Sequence, residues 1–200
     1  MHFKTGKNDK ISGIWYFYRE EDENIKKLRK EFEKSKYSHL DVKFLKKVPV
    51  DMIENSMENL IVVWDDFEYE LVTSKELQAT LYSAATVYCH HKRQWWFVIC
   101  QSVDVLKKAH KINNSISQAT HYVFFRNLTQ NKSICRFLNN FSIKLKGGQS
   151  LAEVFEKYVQ STIFAYLVIC VSPRCKITTA FSNILLNSDG PMLAFHEDDD

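Results

Sequence analysis

The sequence predicts an α/β fold, a mostly parallel sheet flanked by helices, on three observations. Four apolar runs of strand length, at residues 59–66, 95–100, 121–125 and 166–171, have the continuous aliphatic and aromatic character of strands buried on both faces. Amphipathic helical stretches separate them. Three of the runs stop at polar residues: Asp65-Asp66, Gln101-Ser102 and Arg126-Asn127. Parallel strands would bring these ends to one rim, where open α/β sheets place their ligands.

Taken in order, Ile11-Ser12-Gly13-Ile14-Trp15-Tyr16-Phe17-Tyr18 reads as a first strand rich in aromatics. Ile25, Leu28 and Phe32 then recur at helical spacing behind acids that a helix N-terminus favours. Residues 42–45 make a weaker strand, and Pro49 starts a loop or short helical turn leading to Leu60. Thr73 and Glu76 have capping-box spacing. They open a helix with Leu77, Leu81, Ala84, Ala85 and Tyr88 on one stripe, ending in Cys89-His90-His91-Lys92-Arg93. Later, Ile134, Phe137 and Leu138 mark a short helix, and Gly147-Gly148 a flexible turn. Ser150 and Glu153 form a second capping box before the stripe Leu151, Val154, Phe155, Tyr158 and Val159.

Two hundred residues, 45% of them hydrophobic, suit one globular domain over 1–200, its core spanning about 11–184. Three prolines and five glycines leave no linker that would divide it. The net charge of +3 neither demands nor excludes nucleic acid. Residues 190–200, ending His196-Glu197-Asp198-Asp199-Asp200, read as a solvated acidic tail. Five cysteines without C-x-x-C spacing suit buried free thiols in a reducing compartment. The first residues lack the apolar stretch of a signal peptide, and the longest apolar run, 163–171, is too short to span a bilayer. The expectation is an intracellular soluble protein with no membrane partner.

At the end of the 59–66 run, one carboxylate would hold a water that coordinates Mg²⁺ and the second would polarise the attacking water in a phosphoryl transfer. The plainer reading is a strand that stops at two solvated acids. Beyond them the order of features is more telling: the His-His-Lys-Arg helix end, the strand closing on Gln101, and residues 112–127, Ile112-Asn113-Asn114-Ser115 through Phe125-Arg126-Asn127. With the late strand and Ser172-Pro173-Arg174, this order resembles the genome-packaging ATPases of the FtsK–HerA group, above all those of Polinton (Maverick) elements and related double-stranded DNA viruses. The resemblance runs from about Ile11 to about Ile184.

That resemblance implies a RecA/FtsK-like P-loop NTPase fold with Mg²⁺ and ATP as cofactors. It makes Asp65 the Walker B acid that organises the metal and Asp66 the acid that positions the lytic water. Gln101 becomes the sensor of the γ-phosphate, and Arg126 an arginine acting on a neighbouring subunit's nucleotide in a homo-oligomeric ring. His90 and His91 match a His pair near the site, with no assigned role. Residue by residue, the bland alternatives are a strand cap, a solvated loop arginine and an exposed helix terminus. Double-stranded DNA and capsid proteins are the partners the resemblance implies, with a nuclear, cytoplasmic or virion-associated location. Lys107, Lys108, Lys111, Lys144 and Lys146 are basic residues that would face a pore or simply solvent.

The departure concerns phosphate. A P-loop, G-x-x-x-x-G-K-S/T, cradles phosphates on backbone amides and neutralises them with its Lys. The one Gly-Lys pair, Gly6-Lys7, is followed by Asn8 and has Met1 five positions before Gly6, so it is not such a loop. Leu128-Thr129-Gln130 also replaces a Pro-Arg-Asp-like turn of the relatives. The expectation is an N-terminally incomplete relative, inactive on its own. It is either a packaging motor whose loop is supplied by other sequence, or a degenerate non-catalytic module for interaction or DNA association. A Mg²⁺ nuclease using Asp65 and Asp66 is disfavoured because no further acid stands at a comparable strand end.

Overall fold

The computed structural model describes residues 10–103, 105, 121–125, 131–139, 148–159, 166–170, 182–186 and 193–196. The chain divides into two compact units, Met1–Gln101 and Ser102–Asp200.

The first unit runs β1 (Gly13–Tyr18), α1 (Glu23–Phe32), a 3₁₀ turn (Ser35–Tyr37), β2 (Asp41–Leu45), α2 (Val50–Glu54) and β3 (Leu60–Asp65). It continues through α3 (Glu68–Thr73) and α4 (Lys75–Ser83) to β4 (Trp95–Ile99), with α4 prolonged by a π-helical stretch (Ala84–Tyr88) and a last turn (Cys89–His91). The four strands lie in the order β2-β1-β3-β4 and pair in parallel throughout. The winding steps one way from β1 to β2, then back past β1 to β3 and β4. With right-handed crossovers this places helices on both faces and a switch of direction between β1 and β3.

Side-chain alternation explains the layers. Leu60, Val62 and Trp64 of β3 are buried on the face they share with Trp15 and Phe17, their register partners opposite Val62 and Trp64. Trp64 is fully buried. Its ring meets Phe67 at 6.5 Å and Trp96 at 5.4 Å, and Trp96 stacks on Tyr88 at 6.2 Å. On the opposite face Phe44 of β2 receives Tyr16 at 5.6 Å and Phe32 of α1 at 6.2 Å. Full burial of a side chain such as Trp64 or Phe17 contributes about 1.5–3 kcal/mol. At the amino end of β3 the buried Gln94 amide donates to the Ser56 hydroxyl at 2.7 Å and to the Met57 carbonyl at 2.8 Å, so its burial leaves its donors satisfied.

The α4 cap differs from the expected one. Ser74, not Thr73, is the N-cap, accepting from the Leu77 N–H at 3.3 Å. Thr73 is the last residue of α3 and its hydroxyl donates back to the Tyr69 carbonyl at 2.8 Å. Because α3 occupies the chain up to Thr73, the cap shifts by one position. The second capping box forms as read: Ser150 Oγ accepts from the Glu153 N–H at 3.2 Å, and the Glu153 carboxylate accepts from the Ser150 N–H at 2.7 Å.

The second unit corrects the expectation of a continued parallel sheet. β5 (His121–Phe125), β6 (Tyr166–Cys170), β7 (Ser182–Leu186) and β8 (Leu193–His196) form a separate antiparallel sheet in that order. Among the described residues between β5 and β6 are two helical elements, α5 (Asn131–Leu138) and α6 (Leu151–Val154, running on as a π turn, Phe155–Val159). Phe124, Phe137, Leu138, Leu151, Phe155 and Leu167 share its core. Leu193–His196, expected within the tail, pairs with β7 instead. Among the described residues no helix is long and apolar enough to cross a membrane.

Two outcomes follow from the first sheet. A Cβ at Gly13 would collide with the Asp41 backbone carbonyl across the β1–β2 ladder, so Gly13→Ala lowers stability by about 1–3 kcal/mol in urea melts. β4 is an outer strand of its sheet, with Phe97 52% and Ile99 46% exposed. Apolar edges invite self-pairing. Replacing both residues by Lys reduces concentration-dependent light scattering without lowering Tm; undiminished scattering contradicts this.

Candidate functional site

The carboxyl ends of the parallel strands gather the side chains of interest. Asp65 closes β3, paired with Tyr18 of β1 and Ile99 of β4. Asp66 follows in the left-handed region, φ 61°, which Asp tolerates better than most residues. That turn ends the strand and sends the chain through buried Phe67 into α3. Asp66 Oδ1 accepts from the Gln101 side-chain amide at 2.8 Å. The Gln101 backbone N–H donates to the Glu68 carboxylate. The β3–α3 turn is thereby fastened to the end of β4 at two points.

On the β1 side, the Tyr16 hydroxyl donates to Asp65 Oδ2 at 2.6 Å. Tyr16 lies two residues before Tyr18, the register partner of Asp65, and strand alternation therefore puts both side chains on one face. The rim is electronegative, as two groups report. Burial, the hydrogen bond to Asp65 and the charges of Asp65, Asp22 and Asp66 push the Tyr16 phenol pKa up. Burial first, then Glu68 and Asp66, raise the Cys100 thiol to about 12. Arg19 reaches Glu70 only at 3.8 Å and in solvent, which contributes little.

A divalent cation suits this donor set within limits. Among the described residues no three His, Cys, Asp or Glu side chains form a cage for a metal. Mg²⁺ does not need one, because it keeps several waters and takes one or two carboxylates together with substrate phosphates. Asp65 accepts through Oδ2 and Asp66 through Oδ1 from a neutral donor, leaving hard carboxylate oxygen for such an ion. They fit Mg²⁺ as weak, outer-rim ligands.

Of the residues singled out from sequence, Asp65, Asp66 and Gln101 come together at one rim. Arg126 and Lys107, Lys108, Lys111, Lys144 and Lys146 lie outside the described residues. The His pair is displaced from its expected place. His90 and His91 are exposed at the end of α4, where the next carbonyl, Lys92, accepts from the Asn59 N–H at 2.8 Å. That is the amino end of β3, a strand length from Asp65. Tyr16 and Glu68 were not singled out. Glu68 could have been found as an acid three residues past Asp65, whereas Tyr16 is one of four consecutive aromatics and only the β1–β3 register distinguishes it.

Comparison with protein-family models, with curated proteins and with solved structures finds no match.

The phenol gives a pH signature. Its folded pKa exceeds the unfolded value near 10, so the stabilisation is complete below about pH 10 and is lost as pH rises through the folded value. In an ultraviolet absorbance titration Tyr16 gives a late ionisation step, Tyr16→Phe removes that step, and Asp65→Asn brings it earlier. A late step insensitive to both changes would rule out the pairing.

Proposed function

We propose that Met1–Gln101 is the acid-bearing half of a nucleotide-hydrolysing site of the FtsK–HerA genome-packaging kind, on a RecA-like sheet, and that this chain alone does not hydrolyse ATP. In this reading Asp65 would hold Mg²⁺, which when bound screens phosphate charge. Asp66 accepts a proton-bearing water's hydrogen bond and orients it. Gln101, an amide that both donates and accepts, links that acid to the γ-phosphate position. Arg126 would serve a neighbouring subunit in a ring, with double-stranded DNA and capsid proteins as partners.

One observation carries the reading: the 2.8 Å hydrogen bond from Gln101 to Asp66 across the carboxyl ends of adjacent parallel strands. A sensor amide must touch the water-positioning acid if phosphate loss is to be felt by the strand that bears it. The absence of a G-x-x-x-x-G-K-S/T run from this sequence favours a second reading, a non-catalytic relative acting as an interaction or DNA-associated module.

Calorimetric titration with Mg-ATP tests the proposal, together with phosphate release and Mn²⁺ binding followed by electron paramagnetic resonance. The expected result is no micromolar ATP binding and no phosphate release, with weak Mn²⁺ binding that Asp65→Asn abolishes. Micromolar Mg-ATP binding overturns the claim that the phosphate cradle is missing. Mn²⁺ binding indifferent to Asp65 leaves only the non-catalytic reading.

A further inference from the structure

Tyr16 is more than a neighbour of Asp65. Its 2.6 Å bond to Oδ2 falls in the range of strong hydroxyl-to-carboxylate hydrogen bonds. The ring that carries the hydroxyl is held in place: it stacks on Phe44 at an interplanar angle of 25°, and Phe44 is backed by Phe32 and by the Arg29 guanidinium 5.5 Å from its centroid. Arg29 is itself tied to the Tyr18 hydroxyl at 2.8 Å and to Glu21 at 2.7 Å. The phenol therefore meets Asp65 from a supported position, and Asp65 takes the orientation the phenol dictates.

We propose that Tyr16 is a positioning residue that sets the cation preference of this rim, by occupying Asp65 Oδ2 so that Asp65 offers a cation one oxygen and not two. The inference rests on the reading of Asp65 as a metal ligand. Mg²⁺ demands near-octahedral coordination and is served by a single carboxylate oxygen with retained waters. Ca²⁺ accepts six to eight oxygens and often takes a carboxylate through both. A carboxylate pinned through one oxygen disfavours the two-oxygen mode, so the bond selects the smaller ion. Hydrogen-bonded partners of metal ligands typically change metal affinity about 10–100-fold when removed.

The test uses the full chain, with Mn²⁺ bound and its spectrum recorded while MgCl₂ or CaCl₂ displaces it. In the unaltered chain Mg²⁺ displaces Mn²⁺ at lower concentration than Ca²⁺. Tyr16→Phe narrows that preference by about 10-fold, through weaker Mg²⁺ and undiminished Ca²⁺ competition. A purely structural role would weaken both ions alike, and that result, or an unchanged ratio, overturns the proposal. Should Tyr16→Phe fail to fold by circular dichroism, Phe44→Leu keeps the hydroxyl but removes its stacking support and shifts the ratio the same way by a smaller factor. An unaltered ratio in a folded Phe44→Leu chain overturns it equally. Absence of Asp65-dependent Mn²⁺ binding in the unaltered chain removes the metal-ligand reading and this inference together, whereas binding with an unmoved ratio removes this inference alone.

Discussion

Everything at the rim depends on the register of β3 between β1 and β4. Asp65 is level with Tyr18 on one side and Ile99 on the other, and this alignment brings Tyr16 and Gln101 within reach of adjacent acids. The register is fixed by burial. Trp64, Val62 and Leu60 are almost wholly enclosed, and a slip of one residue would send all three to the opposite face and turn Asp65 inward. The large Trp64 ring between Phe67 and Trp96 sets the penalty for such a slip at several kcal/mol. The polar site is thus positioned by apolar contacts one residue away.

The backbone at Asp66 supplies the second constraint. A continued β conformation would aim successive side chains to opposite faces. The left-handed turn breaks that alternation, so that Asp65 engages β1 while Asp66 engages the end of β4. Two adjacent carboxylates are thereby separated onto two different neutral donors. Neither donor cancels their charge, and Glu68 adds to it through the same strand end. The raised Cys100 thiol is what a thiol buried in that field should show.

How much of this was legible in the sequence follows from the range of each interaction. The β3 run, its terminal acids and the strand ending at Gln101 depend on local pattern, and they were readable. The Ser150–Glu153 box was readable for the same reason, since both partners lie within one turn. Thr73 was mistaken for a cap because it alone has a Glu three residues on, whereas Ser74 has Leu77 there; the end of α3 at Thr73 decides for Ser74. The antiparallel pairing of β5 with β6 was not readable, because apolar runs look alike whichever way they are laid. Tyr16 is the plainest case. Its role arises from a partner 49 positions away, and no local feature separates it from Trp15 or Phe17.

On the proposed reading, the charge at this rim would keep it from holding a nucleotide by itself. Asp65, Asp66 and Glu68 all repel a triphosphate, and the Arg19 guanidinium is directed at Glu70. At an effective dielectric of about 20, two like charges about 4 Å apart oppose each other by about 4 kcal/mol, before any attraction is counted. Mg²⁺ held by Asp65 would offset part of that repulsion, at the cost of waters the ion holds tightly. Complete sites meet the deficit with several backbone amides and a lysine converging on the phosphates. On the proposed reading, this acidic rim would hold a triphosphate only with a cationic, amide-rich surface facing it.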